Sequence, residues 1–205
     1  MLVKLGAILM LASTKEMKMN SNYQFTLIID GIDDKTPGLE DALFAAGCDD
    51  ALINYKNGTV YLDFDREGEE LEVVILSAIK DVESSNIGAK IVSVAPEHLV
   101  NLSDIAERLS MTRQAISLFV QGERGSGGFP KPVLKISNKS PLWRWSAVAQ
   151  WLYQQGRIHD YTIVDFANVV EDINVALELR HKDSFEHKKK IFNELEKQVV
   201  WQVAS

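Results

Sequence analysis

Leu102-Ser103-Asp104-Ile105-Ala106-Glu107-Arg108-Leu109-Ser110-Met111-Thr112-Arg113-Gln114-Ala115-Ile116-Ser117 decides how this chain is read. Ile105, Ala106 and Leu109 recur at helical spacing, with Ser103 placed to cap the helix that carries them. Ser110-Met111 makes a tight turn, and Thr112 caps a second helix whose inner positions are Ile116 and Phe119. Ala106 suits a close crossing of the two helices, where a larger side chain would push them apart. Two helices joined in this way form a helix-turn-helix, and the second helix of such a unit fits the major groove of DNA.

The outer face of that second helix then carries Arg113, Gln114 and Ser117. Arginine suits the O6/N7 edge of guanine, glutamine can make two bonds to adenine, and serine serves either base. Thr112 and the helix N-terminus are placed to hold a phosphate. The plainer alternative is an αα-hairpin with a polar face. Charge speaks against it. The chain has a net charge of −7. Residues 1–100 hold 8 Lys and Arg against 17 Asp and Glu, residues 101–157 hold 8 against 3, and residues 158–205 hold 6 against 9. The only basic segment coincides with the two-helix stretch, as an electrostatic footprint for nucleic acid should. Acidic flanks limit non-specific attraction to phosphate.

Downstream, Phe129-Pro130-Lys131-Pro132-Val133 leads into Leu134–Ser137, then Asn138-Lys139-Ser140, then Trp143-Arg144-Trp145-Ser146-Ala147-Val148-Ala149-Gln150-Trp151-Leu152. Phe-Pro-x-Pro, a short hairpin and Trp-Arg-x-Ser-x-Val-x-x-Trp-Leu together resemble the MerR-like and AlpA (excisionase-like) winged helix-turn-helix families. The resemblance covers about residues 102–152, a quarter of the chain. It implies that the segment after Phe129-Pro130 is a wing lying beside the recognition helix. By that resemblance Lys131, Lys135 and Lys139 contact the DNA backbone, Ser146 caps the closing helix, and Val148, Trp151 and Leu152 seal the core. Trp143 is expected in the core, and Trp145 is open between core and surface. Residues 122–128, Gly-Glu-Arg-Gly-Ser-Gly-Gly, are longer than the family's usual link. They are expected to order on DNA, with Arg124 reaching a phosphate.

Ahead of this unit, residues 22–96 read as a small α/β domain. Tyr23, Phe25, Leu27 and Ile29 alternate as a half-buried strand. Thr36-Pro37-Gly38 opens a helix through Leu39, Leu43 and Ala46 to Gly47, with Thr36 as cap. Asn57-Gly58 between two alternating segments is a hairpin signal. It pairs Tyr55 with Val60, Ile53 with Leu62 and Ala51 with Phe64, all on one face. A helix from about Glu67 to Ser85 carries Leu71, Val74, Ile75, Ala78, Ile79 and Val82. Gly88 ends it, and Lys90 to Ala95 form a last strand. The order β-α-β-β-α-β is the ferredoxin-like arrangement. Its uncovered face would show Gln24, Thr26, Ile28, Leu52, Asn54, Tyr61 and Asp63.

The tail, residues 158–205, carries Ile163, Phe166, Val170, Ile173 and Leu177 at alternating steps of three and four, a coiled-coil-like seam. Asp183 and Glu186 make a capping box for a second helix striped with Phe185, Phe192, Leu195 and Val199. An αα-hairpin is expected, either covering the open sheet face or pairing two subunits. Dimerisation is preferred, since paired half-sites need symmetry.

Residues 1–21 hold an apolar run, Leu5–Ala12, that resembles a signal peptide but is too short to span a membrane. The expected start is Met17 or Met19; a mature start after Ala12 would favour export. The single Cys48 excludes an internal disulfide framework and a cysteine-based zinc site, and a buried inert thiol is expected. His98, His159, His181 and His187 lack metal-ligand spacing. Asp49, Asp50, Asp63 and Asp65 gather at one end of the hairpin, where a solvated acidic surface outweighs a metal site. Gly125-Ser126-Gly127-Gly128 lacks the Lys-Ser/Thr of a phosphate-binding loop.

The chain is therefore expected to be an α+β protein: a ferredoxin-like domain (22–96), a winged helix-turn-helix (97–157) and an αα-hairpin (158–205). Its expected role is a cytoplasmic, sequence-specific regulator from a bacterium or phage, binding double-stranded DNA as a homodimer. No catalytic residue, cofactor, metal or membrane is expected. The alternative is an antitoxin or adaptor whose acidic N-terminal domain binds a protein partner while the helix-turn-helix autoregulates.

Overall fold

The computed structural model describes residues 20–137, 140–180 and 185–203, with side chains described as far as residue 197 in the last helix. The N-terminal apolar run, Asn138, Lys139, the Asp183 cap and the side chain of Val199 lie outside the described residues.

The fold is mixed α+β, with a four-stranded antiparallel sheet and seven helices among the described residues. Strand β1 (Ser21–Asp30), helix α1 (Leu39–Ala45), strands β2 (Ala51–Lys56) and β3 (Thr59–Gly68), helix α2 (Leu71–Ser84) and strand β4 (Lys90–Ala95) come first. The strands lie in the order β2-β3-β1-β4. Asn57 and Gly58 both take positive φ, 52° and 79°, the geometry a two-residue hairpin turn demands. The expected pairs Tyr55–Val60, Ile53–Leu62 and Ala51–Phe64 all form. Phe25, Leu27 and Ile29 of β1 and Val60, Leu62 and Phe64 of β3 are buried against Leu39 and Leu43 of α1 and the apolar stripe of α2.

Several local expectations are corrected. Thr36 does not cap α1; its Oγ1 accepts from the Asp33 N–H at 3.0 Å, and Gly38 occupies the cap position. α2 begins at Leu71 rather than near Glu67, because β3 continues to Gly68 to match the ten residues of β1. Asp50 is taken up by Arg66, whose guanidinium bonds both of its oxygens (2.6 and 2.9 Å), Asp81 (2.8 Å) and the Gly47 carbonyl (2.9 Å). Asp63 accepts from Thr26 (2.6 Å) and Asn54 (2.9 Å). These two carboxylates thus serve to tie elements together. Gln24, Thr26, Ile28, Leu52, Asn54, Tyr61 and Asp63 form an uncovered face, none of them buried.

Cys48 is buried beside this network. Burial pushes its thiol up to about 11, with the Arg66 charge opposing the shift. Below pH 9 the thiol is protonated in both folded and unfolded chains. Between about 9 and 11 only the unfolded thiol ionises, so stability falls across that window. A Cys48→Ala variant should lose that alkaline component in denaturation measured from pH 8 to 11. The native thiol should stay unreactive to a disulfide reagent at pH 8 until the chain unfolds.

Strand β5 (Leu99–Val100), helices α3 (Leu102–Arg108) and α4 (Arg113–Val120), strand β6 (Trp143–Arg144) and helix α5 (Trp145–Gln154) build a second cluster. Helix α6 (Thr162–Arg180) joins the two. Its Val164 and Ala167 pack with Trp145, Val148 and Leu152, while Val170, Ile173 and Leu177 pack against the sheet's core. The expected seam is therefore split between two cores, and Ile163 points outward. α6 does not cover the open sheet face. It lies along β4, the edge strand, where the Asn174 amide accepts from Val94 N–H and donates to Val94 C=O, both at 2.8 Å. Arg180 donates to the Ile91 carbonyl (3.1 Å), and Glu83 accepts the Ile91 N–H (3.0 Å). An edge strand offers unpaired backbone groups to other chains, and α6 removes that offer here. Helix α7 (Phe185–Val203) meets α6 near its start, where Lys188 donates to the Glu178 and Leu179 carbonyls. It does not lie against α6 as a hairpin arm: Phe185, Phe192 and Leu195 are exposed.

Candidate nucleic-acid interface

Asn101, not Ser103, caps α3, through a box in which its side chain accepts from Asp104 N–H while the Asp104 carboxylate accepts from Asn101 N–H. Ser110 takes a φ of 50°, and Met111 N–H bonds the Ala106 carbonyl at 2.8 Å, closing the turn. Thr112 caps α4 as expected, accepting from Ala115 N–H at 3.1 Å. Ile116 and Phe119 are buried and Leu109 is half-buried, which leaves Thr112, Arg113 and Gln114 exposed. Ser117 is half-buried and receives the Gln121 amide at 3.0 Å.

The link after α4 is more ordered than expected of a segment awaiting DNA. The Glu123 and Arg124 amides bond the Leu118 carbonyl (2.9 and 3.2 Å), Ser126 Oγ bonds Gln155 Oε1 (2.7 Å), and Trp151 Nε1 donates to Gly127 C=O (3.0 Å). A chain of edge-on aromatic contacts continues the connection. Phe119 of α4 meets Trp151 of α5 (5.5 Å between centroids), Trp151 meets Phe129 (5.0 Å), and Phe129 meets Trp143 (6.3 Å). Trp143 is buried, as expected, and its Nε1 donates to Pro130 C=O at 3.0 Å. Trp145 also proves to be core. The segment after Pro130 is held by backbone bonds between Leu134 and Leu142. Lys131 and Lys135 are exposed on it, Lys135 with a φ of 54°. Lys139 lies outside the described residues.

Counting charges in the sequence overstates the footprint. Arg108 lies over the Trp145 ring at 4.9 Å and donates to Glu97 C=O at 2.8 Å; burial lowers its pKa. Arg144 donates to Glu171 of α6, and so does Ser146, which therefore does not cap α5. Two of the eight basic residues of 101–157 are thus spent on internal contacts. Among the described residues, Arg113, Arg124, Lys131, Lys135 and Arg157 keep no carboxylate partner. Arg157 was not singled out from the sequence. It sits 5.5 Å from the Phe119 ring, with Arg124 at 5.2 Å from the same ring, so two guanidiniums flank the end of α4. Its place after the closing helix gives no local signal.

These groups suit an anionic polymer: hydrogen-bonding side chains at one helix start, cations on the adjoining loops, and a rigid aromatic connection between them. No helix among the described residues is long and apolar enough to cross a membrane. No protein-family model, curated protein or solved structure matches the chain.

Proposed function

We propose that this protein is a sequence-specific DNA-binding regulator, not an enzyme, acting in the cytoplasm of a bacterium or in the service of a phage. In this reading residues 97–157 are a winged helix-turn-helix of the MerR-like or AlpA type. Residues 22–96 are a ferredoxin-like domain, a reading supported by the strand order β2-β3-β1-β4. α4 enters the major groove of double-stranded DNA with Arg113, Gln114 and Ser117 toward base edges. Thr112, Arg124, Lys131, Lys135 and Lys139 hold the backbone, and two copies bind paired half-sites. The observation that carries this reading is the set of cations on α4 and its adjoining loops that keep no carboxylate partner among the described residues, in a chain of net charge −7.

Capture of DNA bound by the tagged protein across a genome would supply the cognate site. At that site Arg113→Ala should cost about 1–3 kcal/mol and relax preference at one base pair. Lys131→Ala and Lys135→Ala should weaken binding on all sequences and each reduce the salt slope by about 1. Retention of both affinity and sequence preference by Arg113→Ala would remove α4 as the reading helix.

The uncovered sheet face favours one second reading, an antitoxin or adaptor with a basic protein partner. A hollow of about 750 Å³ there is lined by Asp49, Asp63, Asp65 and Leu52, the last 72% exposed. A stoichiometric partner held in high salt by the full chain, and lost in Leu52→Lys, would favour it.

A further inference from the structure

Two apolar surfaces are left without a partner within the described residues, and they complement each other. The first is the stripe of α7, where Phe185, Phe192 and Leu195 recur at steps of seven and three, with Phe192 62% and Leu195 57% exposed. The second is a groove of about 370 Å³ between α2 and α6, floored by Leu76, Ile79, Val169, Ile173, Ala176 and Leu177. Leu76 is 48% exposed at its edge. Contiguous exposed apolar surface marks association sites.

Charge decides the occupant. α6 runs in the same direction as α2: its Phe166 lines a hollow with Leu71, and its Arg180 pairs with Glu83 at 2.7 Å. The groove therefore has an acidic end, Glu72 and Asp172, and an opposite end where Arg180 is balanced by Glu83. α7 carries Glu186 followed by Lys188, Lys189 and Lys190 toward its start, and farther on Glu196 and a Glu194 that Lys197 pairs at 2.8 Å. Lys189 and Glu196 stand about 10 Å apart along the helix, and Asp172 and Arg180 about 12 Å, at 1.5 Å per residue. Laid parallel to α6, α7 sets its three lysines at the acidic end of the groove, beside Glu72 and Asp172. Within its own chain α7 starts at the C-terminus of α6, where Lys188 donates to the Glu178 (3.2 Å) and Leu179 (2.8 Å) carbonyls. Folding back from there is antiparallel and sets lysines beside Arg180 and glutamates beside Glu72, like against like.

We infer that α7 of a second copy occupies the α2–α6 groove, parallel to α6, and that two chains exchange these helices reciprocally. The contact is isologous and closes as a dimer, since each copy gives one helix and receives one. This deepens the dimeric reading above by naming its surface. Association is read without DNA, and Arg113→Ala is read without reference to association, so either idea can fail alone.

The test is sedimentation of the full chain without DNA, with folding followed by circular dichroism. The wild type should be dimeric at micromolar concentration. Phe192→Asp, which spoils the helix, and Leu76→Asp, which spoils the groove, should each raise the dimer dissociation constant on the order of 100-fold. Mixed together, the two variants should recover a heterodimer through the one intact helix and the one intact groove. Lys189→Glu alone should weaken the dimer about tenfold, and Asp172→Lys in the same chain should restore it. A monomeric wild type overturns the inference. So does loss of the dimer in Phe192→Asp but not in Leu76→Asp, which would assign α7 to pairing with its own copy instead.

Discussion

Replacing Asn174 with leucine is expected to destabilise the protein by roughly 2–5 kcal/mol, although the two side chains share the same branched shape. Asn174 is only 2% exposed, and its amide serves both backbone groups of Val94 on the β4 edge. Leucine offers neither a donor nor an acceptor and is also the larger side chain. The Val94 N–H and C=O would then be buried without partners, and each such group costs about 1–3 kcal/mol. Asn168→Leu on the exposed side of α6 is the control, expected to stay within about 0.5 kcal/mol of the wild type. Urea unfolding gives the difference. Hydrogen exchange at the Val94 amide gives its location, because freed of Asn174 that amide should exchange through local opening. Equal stability of the two variants would mean that α6 is held by its apolar contacts alone.

The same residue shows where reading the sequence stops. Asn57-Gly58 was legible because a two-residue turn carries its geometry in its own side chains, and alternation on either side fixes the register. Thr112, Ile116 and Phe119 were legible for the same reason, as cap and helical period lie within eight residues. Asn174 and Arg66 were not. Asn174 lies 80 residues from Val94, and Arg66 lies 15 or 16 from its carboxylate partners. On a helix face a lone asparagine reads as solvated, and an arginine among acids reads as one charge among many. Glu171 misled in two directions. It draws Arg144 out of the basic face and draws Ser146 away from the α5 cap. The apolar steps of α6 resembled one seam because a spacing of three and four says that a face is buried, not against how many partners.

Trp151 joins α4 to the loops that flank it, and Trp151→Ala is expected to cost roughly 3–5 kcal/mol. Its ring is 6% exposed and touches Phe119 on one side and Phe129 on the other, while Nε1 holds Gly127 C=O at 3.0 Å. Alanine removes the ring contacts and the bond together, so denaturation should show the loss directly. Trp151→Phe separates the two contributions. It keeps an aromatic ring between Phe119 and Phe129 but loses the N–H donor, worth about 1 kcal/mol, together with part of the indole's packing. If the loop serves only stability, DNA affinity in the folded Trp151→Phe variant should match the wild type. If the bond to Gly127 holds Arg124 and the Lys131–Lys135 segment in place, the phenylalanine variant should bind all sequences more weakly with base preference unchanged. Backbone contacts position a protein without reading sequence. Such a uniform loss, set beside the altered preference of Arg113→Ala, would separate the group that places α4 from the group that reads the base.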